Sequence, residues 1–213
     1  VTDGGSTIAV GDDLAIGDVV LAIAVTIGAG RSYTWAAPWV EIFDYSQSRT
    51  ISAAIYRISD QAALDDIVVP VITPSGNFDQ MVLATMKIEA QALTAWPAFS
   101  SGGGRSAATL VSPTNSSFGV NTISTNPFAS FDTEYIFGAA YSGIPSGPAP
   151  EMTLPVAYEE VFDVTTGGLR FIMGKRAASA VPIAAQTIAV SQVSGFANAL
   201  YGGAHFIVPA KEA

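Results

Sequence analysis

The chain has no cysteine, one histidine and little charge in its 213 residues. The lack of cysteine excludes disulfides, thiol nucleophiles and any metal or iron–sulfur site built on thiolates. Only 13% of the residues are charged, about half the usual share of roughly a quarter, whereas 49% are hydrophobic. A chain with so few ionic groups is expected to cover itself with Ser, Thr, Asn and Gly. It is also expected to bury apolar surface against other subunits.

The net charge disfavours a protein that binds nucleic acid or anionic membranes, and the length of the apolar runs disfavours one with a membrane-spanning helix. The net charge is −9, so nucleic acid and anionic membrane surfaces repel the chain. The longest apolar run, residues 19–30, is shorter than the roughly 20 residues of a spanning helix and is typical of a buried strand. Residues 1–5 have neither the basic start nor the apolar core of a secretory signal, so we expect none.

Strand patterns recur along the chain, and helical periodicity is scarce. Strands are predicted at residues 18–26, 39–45, 50–58, 81–90, 134–141, 157–164, 168–175, 186–193 and 203–209. The short polar segment 47–49 predicts a hairpin between the second and third of these. The strongest helix candidate is residues 59–66. The fold class predicted is therefore all-β, an antiparallel two-sheet β-sandwich that is jelly-roll-like and has very little helix.

The strand pattern favours a single domain over residues 1–213. Residues 96–126 form the longest stretch without firm periodicity and are interpreted as an elaborated insertion. Residues 142–150 form a connection rich in Pro and Gly. Neither half alone has enough strands to close a sandwich, so we do not divide the chain at either segment.

No catalytic residue, metal or cofactor is predicted. His205 lies in the last predicted strand without local carboxylates or a nucleophile elbow beside it. Adjacent acidic residues such as Glu159 and Glu160 point to opposite faces of a strand, so they do not form a catalytic pair. A calcium loop at Asp12, Asp13 and Asp18 lacks the spacing of known calcium loops. An acidic β-sandwich hydrolase is therefore the least favoured hypothesis.

Aromatic residues provide the one binding hypothesis that the residues support. Tyr33, Trp35 and Trp96 are candidates for contact with a glycan or another surface, because flat rings with a polar edge stack on sugars. Trp39 opens an apolar strand and is predicted to fill the core. The same core role is the alternative for Trp35 and Trp96. A carbohydrate-binding module or lectin-like adhesin is thus the second functional hypothesis.

Three segments in order carry a family resemblance. They are Gly-Asp-Val-Val-Leu-Ala at residues 17–22, Ala-Pro-Trp-Val-Glu-Ile at 37–42 and Ala-Ala-Ile-Tyr-Arg-Ile at 53–58. This layout resembles β domains of tailed-bacteriophage virion proteins, including tail-associated, fibre and head-decoration domains, and residues 165–175, 187–193 and 204–210 are similar to its C-terminal half. Pro38 and Val40 depart from the Gly and Thr usual around the tryptophan.

The resemblance implies a non-enzymatic virion structural protein that stabilises the particle or mediates surface attachment. Its implied partners are other capsid or tail subunits and further copies of the chain, with a trimer as one expected state. A cell-surface glycan is the partner expected from the aromatic residues, and neither nucleic acid nor membrane insertion is expected. The implied location is the phage particle, assembled in the host cytoplasm. A charge-poor, cysteine-free β protein suits such a repeated assembly.

Overall fold

A computed structural model describes residues 14–27, 33–46, 49–65, 72–74, 81–88, 99–100, 115–120, 122–124, 126, 130–142, 147–191 and 200–210. The chain divides into two compact units, Val1–Thr94 with Lys211–Ala213, and Ala95–Ala210. Two compact units can belong to one cooperative domain, so the single-domain interpretation of residues 1–213 stays a prediction. No helix among the described residues is long and apolar enough to cross a membrane.

The first unit is built on a four-stranded antiparallel sheet. Its strands and one short helix are β1 (Val19–Ile27), β2 (Tyr33–Trp35), β3 (Val40–Ser46), β4 (Arg49–Arg57), α1 (Gln61–Asp65), β5 (Ile72–Pro74) and β6 (Met81–Ile88). The sheet has the order β3-β4-β1-β6, and β2 pairs with β5 separately. The apolar strand β1 is central because both of its faces are buried.

Aromatic rings cover one face of that sheet. Tyr33, Trp35 and Trp39 pack on alternate residues of β1 and β4, among them Val20 and Tyr56. Trp39 lies between its neighbours, with ring centroids 6.0 Å from Trp35 and 5.6 Å from Tyr56. The core role predicted for Trp39 is therefore confirmed by its 5% exposure.

The second unit contains two antiparallel sheets that pack face to face. Its strands are β7 (Phe99–Ser100), β8 (Asn115–Val120), β9 (Phe131–Tyr141), β10 (Glu151–Thr153), β11 (Glu159–Thr166), β12 (Leu169–Ala177), β13 (Gln186–Ser191) and β14 (Leu200–Pro209). They form a five-stranded sheet, β11-β12-β9-β14-β7, and a three-stranded sheet, β10-β13-β8. Ile136 and Ile172 of the larger sheet share a core cluster with Ile188 and Val190 of the smaller one.

The predicted all-β antiparallel class is confirmed, and α1 within residues 59–66 is the only helix among the described residues. The β3–β4 hairpin is present, with Ser46 opposite Thr50. Jelly-roll connectivity stays a prediction. Residues 96–126, interpreted as an elaborated insertion, contain β7 and β8, for which no strand was predicted, and β8 pairs with β13. The remaining missed strands are β2, β5 and β10, each three residues long.

Candidate functional site

The predicted glycan-contact residues of the first unit lie in its core. Tyr33 is 5% exposed and Trp35 is 8% exposed. Trp35 Nε1 donates a hydrogen bond of 2.7 Å to Oγ of the fully buried Ser52 on β4. A ring enclosed in this way has no free face on which a sugar can stack. Trp96 lies outside the described residues.

Of the three aspartates considered for a calcium loop, the structure describes only Asp18. Asp12 and Asp13 lie outside the described residues. Asp18 is buried and accepts a hydrogen bond of 2.9 Å from the Ala15 backbone, and its carboxylate lies 3.4 Å from Lys87 Nζ. Its carboxylate therefore closes a turn before β1. Within the described part of the chain, no three His, Cys, Asp or Glu side chains form a group able to hold a metal ion.

The second unit brings three polar side chains together around Glu134 of β9. Glu134 lies opposite Arg176 of β12 and Ile207 of β14, and His205 lies opposite Ile136. Residues opposite each other in an antiparallel pair point to the same face, as do residues two apart on one strand. The register therefore places Glu134, Arg176 and His205 on the face that the smaller sheet covers. Tyr158 joins them from the turn before β11.

The Glu134 carboxylate has three side-chain donors. Its Oε1 accepts a hydrogen bond of 2.5 Å from the Tyr158 hydroxyl and one of 2.9 Å from His205 Nδ1. Its Oε2 accepts a hydrogen bond of 2.6 Å from Arg176 Nε. The Arg176 guanidinium lies 4.7 Å from the centre of the Tyr158 ring, a cation–π distance. We call these four residues the Glu134 cluster.

Burial and hydrogen bonding oppose each other at Glu134. Burial raises the pKa of its carboxyl group, but hydrogen bonds from His205, Tyr158 and Arg176 and the charge of Arg176 outweigh burial. The pKa of Glu134 therefore lies below its ordinary value. Burial, followed by the hydrogen bond to Glu134 and its negative charge, raises the pKa of Tyr158. The cluster thus contains an ionised carboxylate and a protonated phenol at neutral pH.

His205 uses one ring nitrogen in this cluster. Because a carboxylate only accepts, the hydrogen-bond network assigns the proton to Nδ1. The other nitrogen, Nε2, is buried and has no hydrogen-bond partner among the described residues. A histidine held by a carboxylate through Nδ1 is the arrangement found in general bases and metal ligands. Both side chains here are 0% exposed, however, so the pair has no contact with solvent.

A surface cavity of about 420 Å³ lies beside the cluster. Asp132, Tyr135, Lys175 and Arg176 are among its lining residues, so charges of both signs border it. Arg176 is bound to Glu134, and Lys175 Nζ lies 3.9 Å from a Glu159 carboxylate oxygen. The cationic groups are therefore already neutralised by the chain itself.

His205 lies in a strand, as its sequence pattern predicts, but that pattern does not reveal its partner. Glu134 is 71 positions away, a separation that only strand register brings together. The available signal was a glutamate near the start of an otherwise apolar strand, because a buried charge requires a partner.

Comparison of the chain with models of protein families, with curated proteins and with solved structures found no match.

Proposed function

We propose that this chain is a non-enzymatic structural protein of a tailed-phage virion, a head-decoration, fibre or tail-associated subunit. The observation that carries the proposal is the closure of the Glu134 cluster. The Glu134 carboxylate is 0% exposed and accepts hydrogen bonds from three side chains of its own chain, so this polar group joins strands together.

The composition supports the same proposal. A net charge of −9 with only 13% charged residues suits a subunit that stays soluble before assembly and then makes mainly apolar and backbone contacts. The three ordered segments at residues 17–22, 37–42 and 53–58 add the resemblance to phage virion domains. Under this proposal the partners are capsid or tail subunits and further copies of the chain.

No second function is proposed. The carbohydrate hypothesis depended on exposed rings, and Tyr33 and Trp35 are core residues. A glycan-array screen of the purified chain is therefore expected to be negative, and a signal that Trp96→Ala abolishes would restore the adhesin hypothesis.

Purified particles test the proposal directly. Particles of the phage that encodes the chain are banded repeatedly in density gradients, and the chain is quantified by mass spectrometry against the major capsid protein. A replication protein of the same phage serves as the non-structural control. The expected result is a constant copy number per particle through successive gradients. Recovery of the chain only in the soluble lysate, together with the control protein, would contradict the proposal.

A further inference from the structure

Strand β11 forms one edge of the five-stranded sheet, with β12 on its inner side. Seven of its eight residues are exposed, Phe162 being the half-buried exception. Val161 and Val164 are 37% and 43% exposed, unusual values for valines in a strand. An edge strand presents unpaired backbone N–H and C=O groups, which a further strand can bind.

A bulge divides β11 into two parts. The register with β12 shifts between Glu160 and Phe162, so regular pairing extends only over residues 162–166. Acidic Glu159 and Glu160 lie before the bulge, where charge and irregular backbone both discourage a further strand. The regular part contains one charge, Asp163, whose carboxylate is bound by the Arg170 guanidinium of β12. The open part of the edge is therefore short, and its one carboxylate is paired with Arg170, which also binds Glu151.

This segment is self-complementary around Val164. In an antiparallel pair of two copies, the twofold axis is perpendicular to the sheet and one residue lies opposite itself. An axis at Asp163 would oppose two carboxylates. An axis at Val164 opposes Val164 to Val164, Asp163 to Thr165 and Phe162 to Thr166, so no like charges meet. It is also the axis that uses all five residues of the regular segment.

We propose that β11 pairs with β11 of a second copy, antiparallel and centred on Val164, and joins two five-stranded sheets into one. The inference rests on the proposed function, in which the chain works through contacts between subunits. Five paired residues are a small contact beside the roughly 1,600 Å² of a standard interface. The pairing is therefore weak in solution and is strengthened in an assembly, where many such contacts act together.

The test is sedimentation of the full chain up to high concentration. The native chain is expected to approach twice its monomer mass. Val164→Lys is expected to weaken dimerisation at least about tenfold, because two ammonium groups then meet at the axis. Val156→Lys is the matched control, since Val156 is a fully exposed valine outside the paired segment, and it should dimerise as the native chain does. A mixture of Val164→Lys and Val164→Glu chains should regain dimerisation.

Hydrogen exchange gives an independent readout on the unmodified chain. The backbone amides of residues 162–166 should gain protection as concentration rises, which does not depend on any variant folding. A native chain that stays monomeric, unchanged exchange at 162–166, or a Val164→Lys chain that dimerises normally would each overturn the pairing. Failure of the lysine and glutamate variants to pair would overturn the Val164 axis. Because particle content is measured separately, a monomeric chain that is still present in virions would refute this inference and leave the proposed function standing.

Discussion

At the scale of single residues, Glu134 shows how a charge-poor chain tolerates a buried charge. An unpaired carboxylate in a protein interior is costly, whereas one with several donors is held in its ionised form. Tyr158, His205 and Arg176 supply those donors from three different elements. The cluster therefore depends on the whole register of β9, β12 and β14, and removal of its central acceptor affects all three contacts.

Replacement of Glu134 by Gln is expected to lower the free energy of unfolding by about 3 kcal/mol, because the amide leaves the Arg176 guanidinium without its counter-charge. The measurement is urea unfolding followed by tryptophan fluorescence and circular dichroism. Glu160→Gln is the matched control, since it makes the same chemical change at an exposed site of β11. Equal stability of the two variants would show that the Glu134 cluster does not stabilise the fold.

The lowered pKa of Glu134 also predicts the acid limit of stability. A carboxylate whose pKa is lower in the folded than in the unfolded chain contributes stability that is fully present above its ordinary pKa. That contribution is lost as the pH falls through the folded value. We expect the native chain to lose stability more steeply than Glu134→Gln does as the pH falls below 4.5, the ordinary pKa of a glutamate side chain. Parallel thermal unfolding series from pH 7 down to pH 3 measure the difference, and parallel slopes would contradict it.

For single residues, the sequence predicted location in a strand or in the core better than it predicted hydrogen-bond partners. It placed His205 in a strand and Trp39 in the core, because both lie in strongly patterned segments. It left Trp35 open between surface and core, since a ring beside a proline-containing turn has no clear periodicity. Its hydrogen bond to Ser52 spans 17 positions and depends on the packing of β2 over β4.

At the scale of elements, long apolar strands were predictable and short polar ones were not. Strands β1 and β9 are central in their sheets, and hydrophobic runs made both visible in the sequence. Strand β8 reads Asn-Ser-Ser-Phe-Gly-Val, with residues of low strand propensity, and it is held by pairing with β13. Strand β8 therefore depends on pairing with a strand that is remote in the sequence. This explains why residues 96–126 were interpreted as an insertion.

The packing of β12 against the β10–β11 connection depends on Gly174. A Cβ atom at this position would lie 2.6 Å from Leu154 Cδ1 and 3.1 Å from Tyr158 Cβ. The leucine tip can move, but a shift of Tyr158 disturbs its hydrogen bond to Glu134. We expect Gly174→Ala to lower the free energy of unfolding by about 1–3 kcal/mol, the usual cost of overpacking.

Gly119→Ala is the matched control for that prediction. Gly119 also lies in a strand of the second unit, but the nearest atom to its added Cβ is Gln186 O at 3.8 Å, an ordinary contact. It should be neutral or slightly stabilising, because alanine restricts the unfolded chain. Chemical unfolding of both variants decides the matter, and an equal loss of stability would mean that close packing at Gly174 is not the cause.

At the scale of the whole molecule, the strand patterns predicted the fold class but not the assembly. An all-β protein follows from strand patterns repeated along the chain. The self-complementary edge of β11 was not visible in the sequence, because it requires knowing that β11 is an edge and where its bulge lies. Function at this scale depends on which surfaces remain unpaired after folding, and local patterns do not record that.

The net charge of −9 predicts how dimerisation depends on salt concentration. Two copies repel each other at long range, and salt screens that repulsion, with a Debye length of about 10 Å at 0.1 M. Dimerisation of the native chain through residues 162–166 should therefore strengthen as salt is added. The mixed Val164→Lys and Val164→Glu pair gains an attraction at the axis that salt also screens, so its association should rise less or fall. Sedimentation of the native chain and of the mixed variant pair, each at low and high salt, measures these two responses. If the native dimer weakened with salt, attraction between opposite charges would have to hold it together, and pairing at Val164 would not explain it.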